Sequence, residues 1–272
     1  MTGPERSELR TLIDLALPVS LTQVGMMMMG IVDIWMVGRL GESALASVAL
    51  GDLWIWGTIV IALGLLVGLD PLVTQAHGAR NREKLGLTLQ RGLLFAAFLA
   101  VPLTLVWHQA PRVLALFGQD PALLEDAGLY VDAQLTSALP ILAFIAIRQY
   151  LQGRALVYPA MLAVLLGNFF NVAANEVLIF GHLGFPAMGV YGAGLATASS
   201  RFVLLFLLLY FMKRSKGLEN GWIPWNRRSL KLSGFLPLLR YGTPVALHYG
   251  SEIWAFQIAA LMAGKLGASA LA

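Results

Sequence analysis

Asp33 interrupts a long apolar run, between Met26 to Met29, Gly30, Ile31 and Val32 on one side and Ile34 and Trp35 on the other. If that run crosses a bilayer, an ionisable side chain inside it is costly and usually serves function. Burial penalises the bare charge, so a carboxylate at such depth holds either a proton or a cation. Asp33 lies about one and a half turns inside the outer end of the run. Its helical face continues through Gly30, Met26 and Gln23. The plainer alternative is an interfacial acid that points at water or caps a neighbouring helix.

A second apolar run carries Asn168, Asn171 and Asn175, whose spacings of three and four stack the amides on one side of a helix. Amides facing lipid would be left unpaired, so these must face protein or a wet cavity. Asn175 can reach the depth of Asp33. Interhelical hydrogen bonding alone is the competing role. Glu176, one residue further round, either joins the site or reaches the outer headgroup level.

Near the end of the chain, Glu252 is followed by Trp254 and Phe256. A carboxylate beside aromatic rings suits an amphipathic cation, which the rings hold by stacking and cation–π contact. Asp70, followed by Pro71, Thr74, Gln75 and His77, reads as a local hydrogen-bond network or gate at the opposite membrane face. The histidines His77, His108, His182 and His248 lack ligand spacing, so no metal site is expected. No phosphate-binding loop, dinucleotide fingerprint or nucleophile constellation is found, and an enzyme is not expected.

The elements that must position these residues are membrane spans. The chain is 58% hydrophobic and 12% charged, with mean hydropathy +0.72. That balance lies far from a water-soluble domain of 272 residues. Seven runs long enough to span are read at 12–37, 46–74, 86–108, 128–150, 156–180, 187–211 and 237–263. No cleavable signal peptide is expected, because the first run is full length and lacks a small-residue cleavage pattern. In the sixth run, Gly189, Gly192 and Gly194 with Ala193, Ala196 and Ala198 predict close approach to a neighbour.

Fifteen Lys and Arg residues fall on one set of alternate connections and three on the other, with Arg201 inside the sixth span. That bias places the N-terminus and the basic 213–236 connector in the cytoplasm. The charge reads as topology, and no nucleic-acid partner is expected. A repeat organises the whole: Pro18 to Ala46 aligns with Pro244 to Ala272, 226 positions later, with 11 of 29 pairs identical. The alignment sets Met26 opposite Glu252 and Ala259 opposite Asp33, so the halves share a scaffold but carry charge at different levels. Internal repeats of this kind build many transporters.

Several strings, in order, carry a family resemblance: Pro18 with Val32-Asp33 to Gly38, and Gln75-Ala76-His77-Gly78-Ala79. Further along come Leu151-Gln152-Gly153 before Pro159, Asn171-Val172-Ala173-Ala174-Asn175 running into Phe180-Gly181, and Glu252 ahead of Lys265-Leu266-Gly267. The chain resembles the N-terminal lobe, plus the opening of the C-terminal lobe, of a multidrug and toxic compound extrusion (MATE) transporter. The resemblance implies an all-α polytopic membrane protein: a six-helix lobe (1–212), a cytoplasmic linker (213–236) and the first helix of a truncated second lobe (237–272). It further implies a monomer in a bacterial inner membrane that exports amphipathic organic cations in exchange for sodium or protons, with no cofactor beyond that coupling ion. Asp33, Asn171 and Asn175 match the cation-coupling positions. Glu252 matches the family's seventh-helix acid, and Trp254 and Phe256 accompany it as substrate-binding candidates. Gln23, Asn168, Glu176 and Asp70 are accessory polar candidates. Some relatives carry an acid where Asn175 stands, so the coupling ion stays open. As the chain ends with the seventh span, it reads as a fragment that does not transport without its missing C-terminal lobe. Two other readings stay open: a flippase for lipid-linked oligosaccharides, and a non-transporting membrane scaffold.

Overall fold

The computed structural model describes residues 4–264, apart from 216–218 and 220, and every regular element in it is helical. In chain order the α-helices are α1 (Pro4–Gly38), α2 (Glu42–Val67), α3 (Leu69–Gly78), α4 (Arg82–His108), α5 (Ala110–Leu116), α6 (Pro121–Gln134), α7 (Ala138–Gln152), α8 (Tyr158–Phe180), α9 (Gly189–Arg214) and α10 (Leu236–Gly264). Six stretches are long and apolar enough to cross a membrane: α1, α2 with α3, α4, α6 with α7, α8 and α9. The seventh expected span is a helix, α10, of 29 residues, or about 43 Å, but it is not among those six. The last eight residues of the repeated segment lie outside the described residues.

Helix starts follow local chemistry. Asn81 caps α4 by accepting the Lys84 N–H at 2.9 Å, and Asp120 caps α6 by accepting the Ala122 N–H at 2.9 Å. Pro121 then occupies the first turn, where its missing N–H costs nothing. The fourth span is not one helix. It breaks at a 3₁₀ turn, Leu135–Ser137, which hands α6 over to α7. The connection between the third and fourth expected spans contains the short helix α5, with Ala110 and Leu114 buried.

Helices α2 and α9 organise the packing. α9 lies along α8, α6 and α7, while α2 contacts α10, α6 and α4, and α1 lies against α8. The predicted small-residue stretch of α9 meets α6 closely: a Cβ on Gly194 would stand 2.7 Å from that of Ala133. Most of α1 stays uncovered, with only 22% of its apolar window buried against 61% for the α2–α3 span. Leu12, Leu17, Met27, Ile31 and Trp35 are all more than half exposed, as expected where lipid or cavity replaces protein contact.

A tight crossing joins α2 to α10. A Cβ on Gly64 would fall 2.6 Å from the backbone nitrogen of Ala246. Gly64→Leu is therefore expected to force the two helices apart and lower stability by about 1–3 kcal/mol, the usual range for overpacking. Gly30→Ala, where an added Cβ meets nothing within 4 Å, is expected to unfold like the parent. Thermal unfolding of both variants in detergent checks the contrast; equal midpoints would contradict the packing.

Candidate functional site

Asp33 sits on α1 with 2% exposure, facing α8 and α9. From α8, Asn175 Nδ2 donates to Asp33 Oδ1 and also approaches Asn171 Oδ1 at 3.3 Å. From α9, the Thr197 hydroxyl lies 2.8 Å from Asp33 Oδ2 and 3.1 Å from the Ala193 carbonyl. A hydroxyl carries one proton, so it can serve only one of those two acceptors at a time. Asn171 and Asn175 are fully buried, as the three-and-four spacing requires.

The cluster is not saturated. Asn175 Oδ1 and Asn171 Nδ2 are buried without a hydrogen-bond partner. A lone buried acceptor next to a carboxylate calls for explanation. Turning the Asn175 amide over would present its oxygen to Asp33 in place of the NH₂, and one donor would be exchanged for one acceptor. With Asp33, Asn171, Thr197 and the Ala193 carbonyl, that makes an all-oxygen set of the kind hard cations prefer. The same turned oxygen could accept the O–H of Asp33 once the carboxylate takes a proton, whereas the amide and hydroxyl as they stand both donate to it and favour the charged form. The arrangement is chemically suited to either.

A second polar network lies beside the first. Tyr130 on α6 donates its hydroxyl to Asp52 Oδ1 on α2 at 2.8 Å. Arg201, 8% exposed on α9, donates to Ser137 Oγ at 2.9 Å and lies 5.5 Å from the centre of the Trp107 ring. Trp107 in turn donates to Thr58 Oγ1 on α2 at 2.9 Å. The Arg201 guanidinium is within electrostatic reach of both Asp33 and Asp52. Thr197 and Arg201 are four residues apart, so one face of α9 serves both networks.

A cavity of about 1110 Å³ opens between α1, α2, α7 and α10. Its wall is mainly apolar, with Met26, Met27, Ile31, Trp56, Tyr249 and Ile253, and its charged members are Asp52, Asp70 and Arg148. Asp33 is not on that wall; it is sealed behind it.

The remaining predicted residues separate. Asn168 Nδ2 donates to the Gly25 carbonyl of α1 at 2.8 Å and to its own helix at 2.9 Å, a structural clasp. Gln23 lines the cavity and accepts weakly from Arg148 at 3.5 Å. Glu176 goes to the surface end, pairing with Arg39 at 3.1 Å. Asp70 begins α3 and lines the cavity. Glu252 is exposed, Phe256 is 71% exposed, and Trp254 packs edge-to-face on Trp54 at 6.4 Å. The residues of α10 on the cavity wall are Tyr249, Ile253 and Gln257, a neighbouring face. Thr197, Asp52 and Tyr130 escaped the sequence reading. Asp52 carried a usable signal, an acid within the apolar run 46–74; Thr197 carried none, being one small residue among many.

The MatE family model matches residues 18–177, more than half of the chain. Multidrug resistance protein MdtK from two strains of Klebsiella pneumoniae is 32% identical over 262 residues, covering 96% of this chain and 57% of that protein. The chain thus spans little more than half the length of the curated relatives it matches. The crystal structure of the eukaryotic MATE transporter AtDTX14 superposes with a TM-score of 0.86 at 24% identity, over 95% of this chain and 56% of that one. A MATE transporter in complex with MaD5 gives 0.80 at 25% identity, over 95% and 59%. With its helical lobe, its buried polar cluster and these matches, the chain belongs to the MATE family of multi-pass membrane transporters.

Proposed function

We propose that this chain forms the N-terminal lobe of a secondary-active exporter of amphipathic organic cations, driven by inward sodium or protons. The observation that carries the reading is the sealed cluster: Asp33, Asn171, Asn175 and Thr197, with an orphan amide oxygen, behind the wall of a large apolar cavity. An ion held there contacts nothing in the cavity, so ion and cargo can bind at separate places and still influence each other. Multidrug resistance among the relatives supports the cargo class. The cavity wall carries two acids against one base, which favours a cationic cargo over the phosphorylated lipid of a flippase.

In this mechanism the coupling ion enters from outside and binds at Asp33, with the Asn175 oxygen turned toward it. Neutralising Asp33 removes the reason for Thr197 to stay on the carboxylate, and its proton passes to the Ala193 carbonyl contact. The α1–α8–α9 seam relaxes and the cavity loses its hold on cargo. Glu252 and Phe256 share an uncovered face of α10, where cargo would meet them on the side of a second lobe. The basic connections face the cytoplasm of a bacterial inner membrane, and so does the N-terminus.

Three outcomes are expected of the complete reading frame, expressed in cells stripped of other efflux pumps. Ethidium efflux follows an imposed sodium gradient or an imposed pH gradient, and Asp33→Asn lowers it at least tenfold; full gradient-driven export by that variant would sink the mechanism. In purified protein, sodium chloride raises the unfolding midpoint above equal choline chloride in wild type but not in Asp33→Asn if sodium is the coupling ion, whereas a proton-coupled protein shows no difference. Asn175→Ala costs about 1–3 kcal/mol in wild type by stripping a hydrogen bond from a buried charge, and less in the Asp33→Asn background; a double-mutant cycle of unfolding free energies measures the gap.

A further inference from the structure

A molecule in the cavity cannot touch Asp33, which lies off the cavity wall with 2% exposure. Nor does it meet Glu252 within this lobe. The carboxylates it does meet are Asp52 and Asp70. These two differ in support. No side-chain hydrogen bond holds Asp70 among the described residues, whereas Asp52 is fixed by the Tyr130 hydroxyl at 2.8 Å on one oxygen. Tyr130 is itself 1% exposed and cannot swing away. The second oxygen of Asp52 has no protein partner among the described residues, yet it is not one of the buried orphan atoms, so it retains access to the cavity.

Building on the export reading, we propose that Asp52 is the recognition carboxylate for the cationic group of the cargo, with Tyr130 as its positioning residue. The geometry fits the task. An acid half-shielded by apolar wall interacts with a cation more strongly than one in bulk water. Trp56 and Tyr249 line the same cavity, aromatic residues of the kind that bind aromatic cations. Held by one hydrogen bond, the carboxylate keeps its charge at a fixed point and needs no reordering when cargo arrives. Arg201 balances part of that charge from behind while remaining engaged with Ser137, so Asp52 attracts a cation without binding it irreversibly.

The test is equilibrium binding of ethidium, with the neutral dye Nile red as a control for the apolar cavity, to the purified full-length protein. Asp52→Asn is expected to weaken ethidium at least tenfold and Nile red less than twofold, and Tyr130→Phe to weaken ethidium about threefold. Ethidium affinity within twofold of wild type in Asp52→Asn overturns the assignment alone. Equal loss of both dyes also overturns it, because it marks a damaged cavity rather than a lost charge. A wild type that binds no ethidium overturns the export reading together with the assignment. If Asp52→Asn does not fold, Asp52→Glu keeps the charge but moves it. A change of threefold or more in the ratio of ethidium to tetraphenylphosphonium affinity is then expected, and an unchanged ratio overturns the proposal.

Discussion

Placing the Asp33 carboxylate inside a helical lobe is the constraint on which the rest of the architecture turns. A bare charge at that depth costs several kcal/mol unless partners or a bound cation compensate it. The compensation must come from side chains, because the backbone groups of α1 are already committed to their own helix. Asn175 and Thr197 provide it from two different helices, α8 and α9. Those helices must therefore lie within hydrogen-bond reach of α1 and of each other. The polar cluster is thus also a statement about packing: α8 and α9 form the lobe's most extensive helix pair, and α1 rests in the seam.

Small residues make that seam possible. In lipid there is no hydrophobic drive between helices, so association depends on close packing and interhelical hydrogen bonds. The stretch from Gly192 to Ala198 lets α9 approach α8 and α6, and it is this approach that delivers the short Thr197 side chain to Asp33. A bulkier helix would hold the hydroxyl too far away. On the other side of the lobe, α2 and α10 use the same device, backbone against backbone at Gly64 and Ala246.

The sequence made some of this plain and hid the rest for physical reasons. The succession of long apolar helices and the shared face of the α8 amides follow from hydropathy and the 3.6-residue period, which are local properties. The break at Leu135–Ser137 and the helix α5 do not, because the break leaves the hydropathy of its span unchanged and α5 lies in a short connection between spans. Asn168 shares the periodic face of Asn171 and Asn175, yet it is spent on the Gly25 carbonyl, a distinction set by where α1 crosses α8. Glu176 could have gone either way, and Arg39 with His182 at the helix end settles it at the surface. Trp254 looked like a ring for cargo because it neighbours Glu252 in sequence, but on a helix adjacent residues point apart, and its ring packs on Trp54.

Counting the buried charge of the lobe joins its two networks. Asp33 and Asp52 are both acids, and Arg201 alone among the described residues stands within electrostatic reach of the two. The potential at Asp52 is the sum of attraction to Arg201 and repulsion from Asp33. A cation or proton on Asp33 removes that repulsion and leaves the Arg201 contribution unchanged. For an ionised Asp52, positive charge added at Asp33 makes the wall less attractive to a cation in the cavity. Under the proposed export function, ion and cargo would then oppose each other without touching, as exchange requires. Helix α9 is the material link, since Thr197 and Arg201 lie one turn apart on the same rigid face. In that proposal the ion would be sensed without a long conformational relay, because Coulomb interaction across a low-dielectric core would carry the effect.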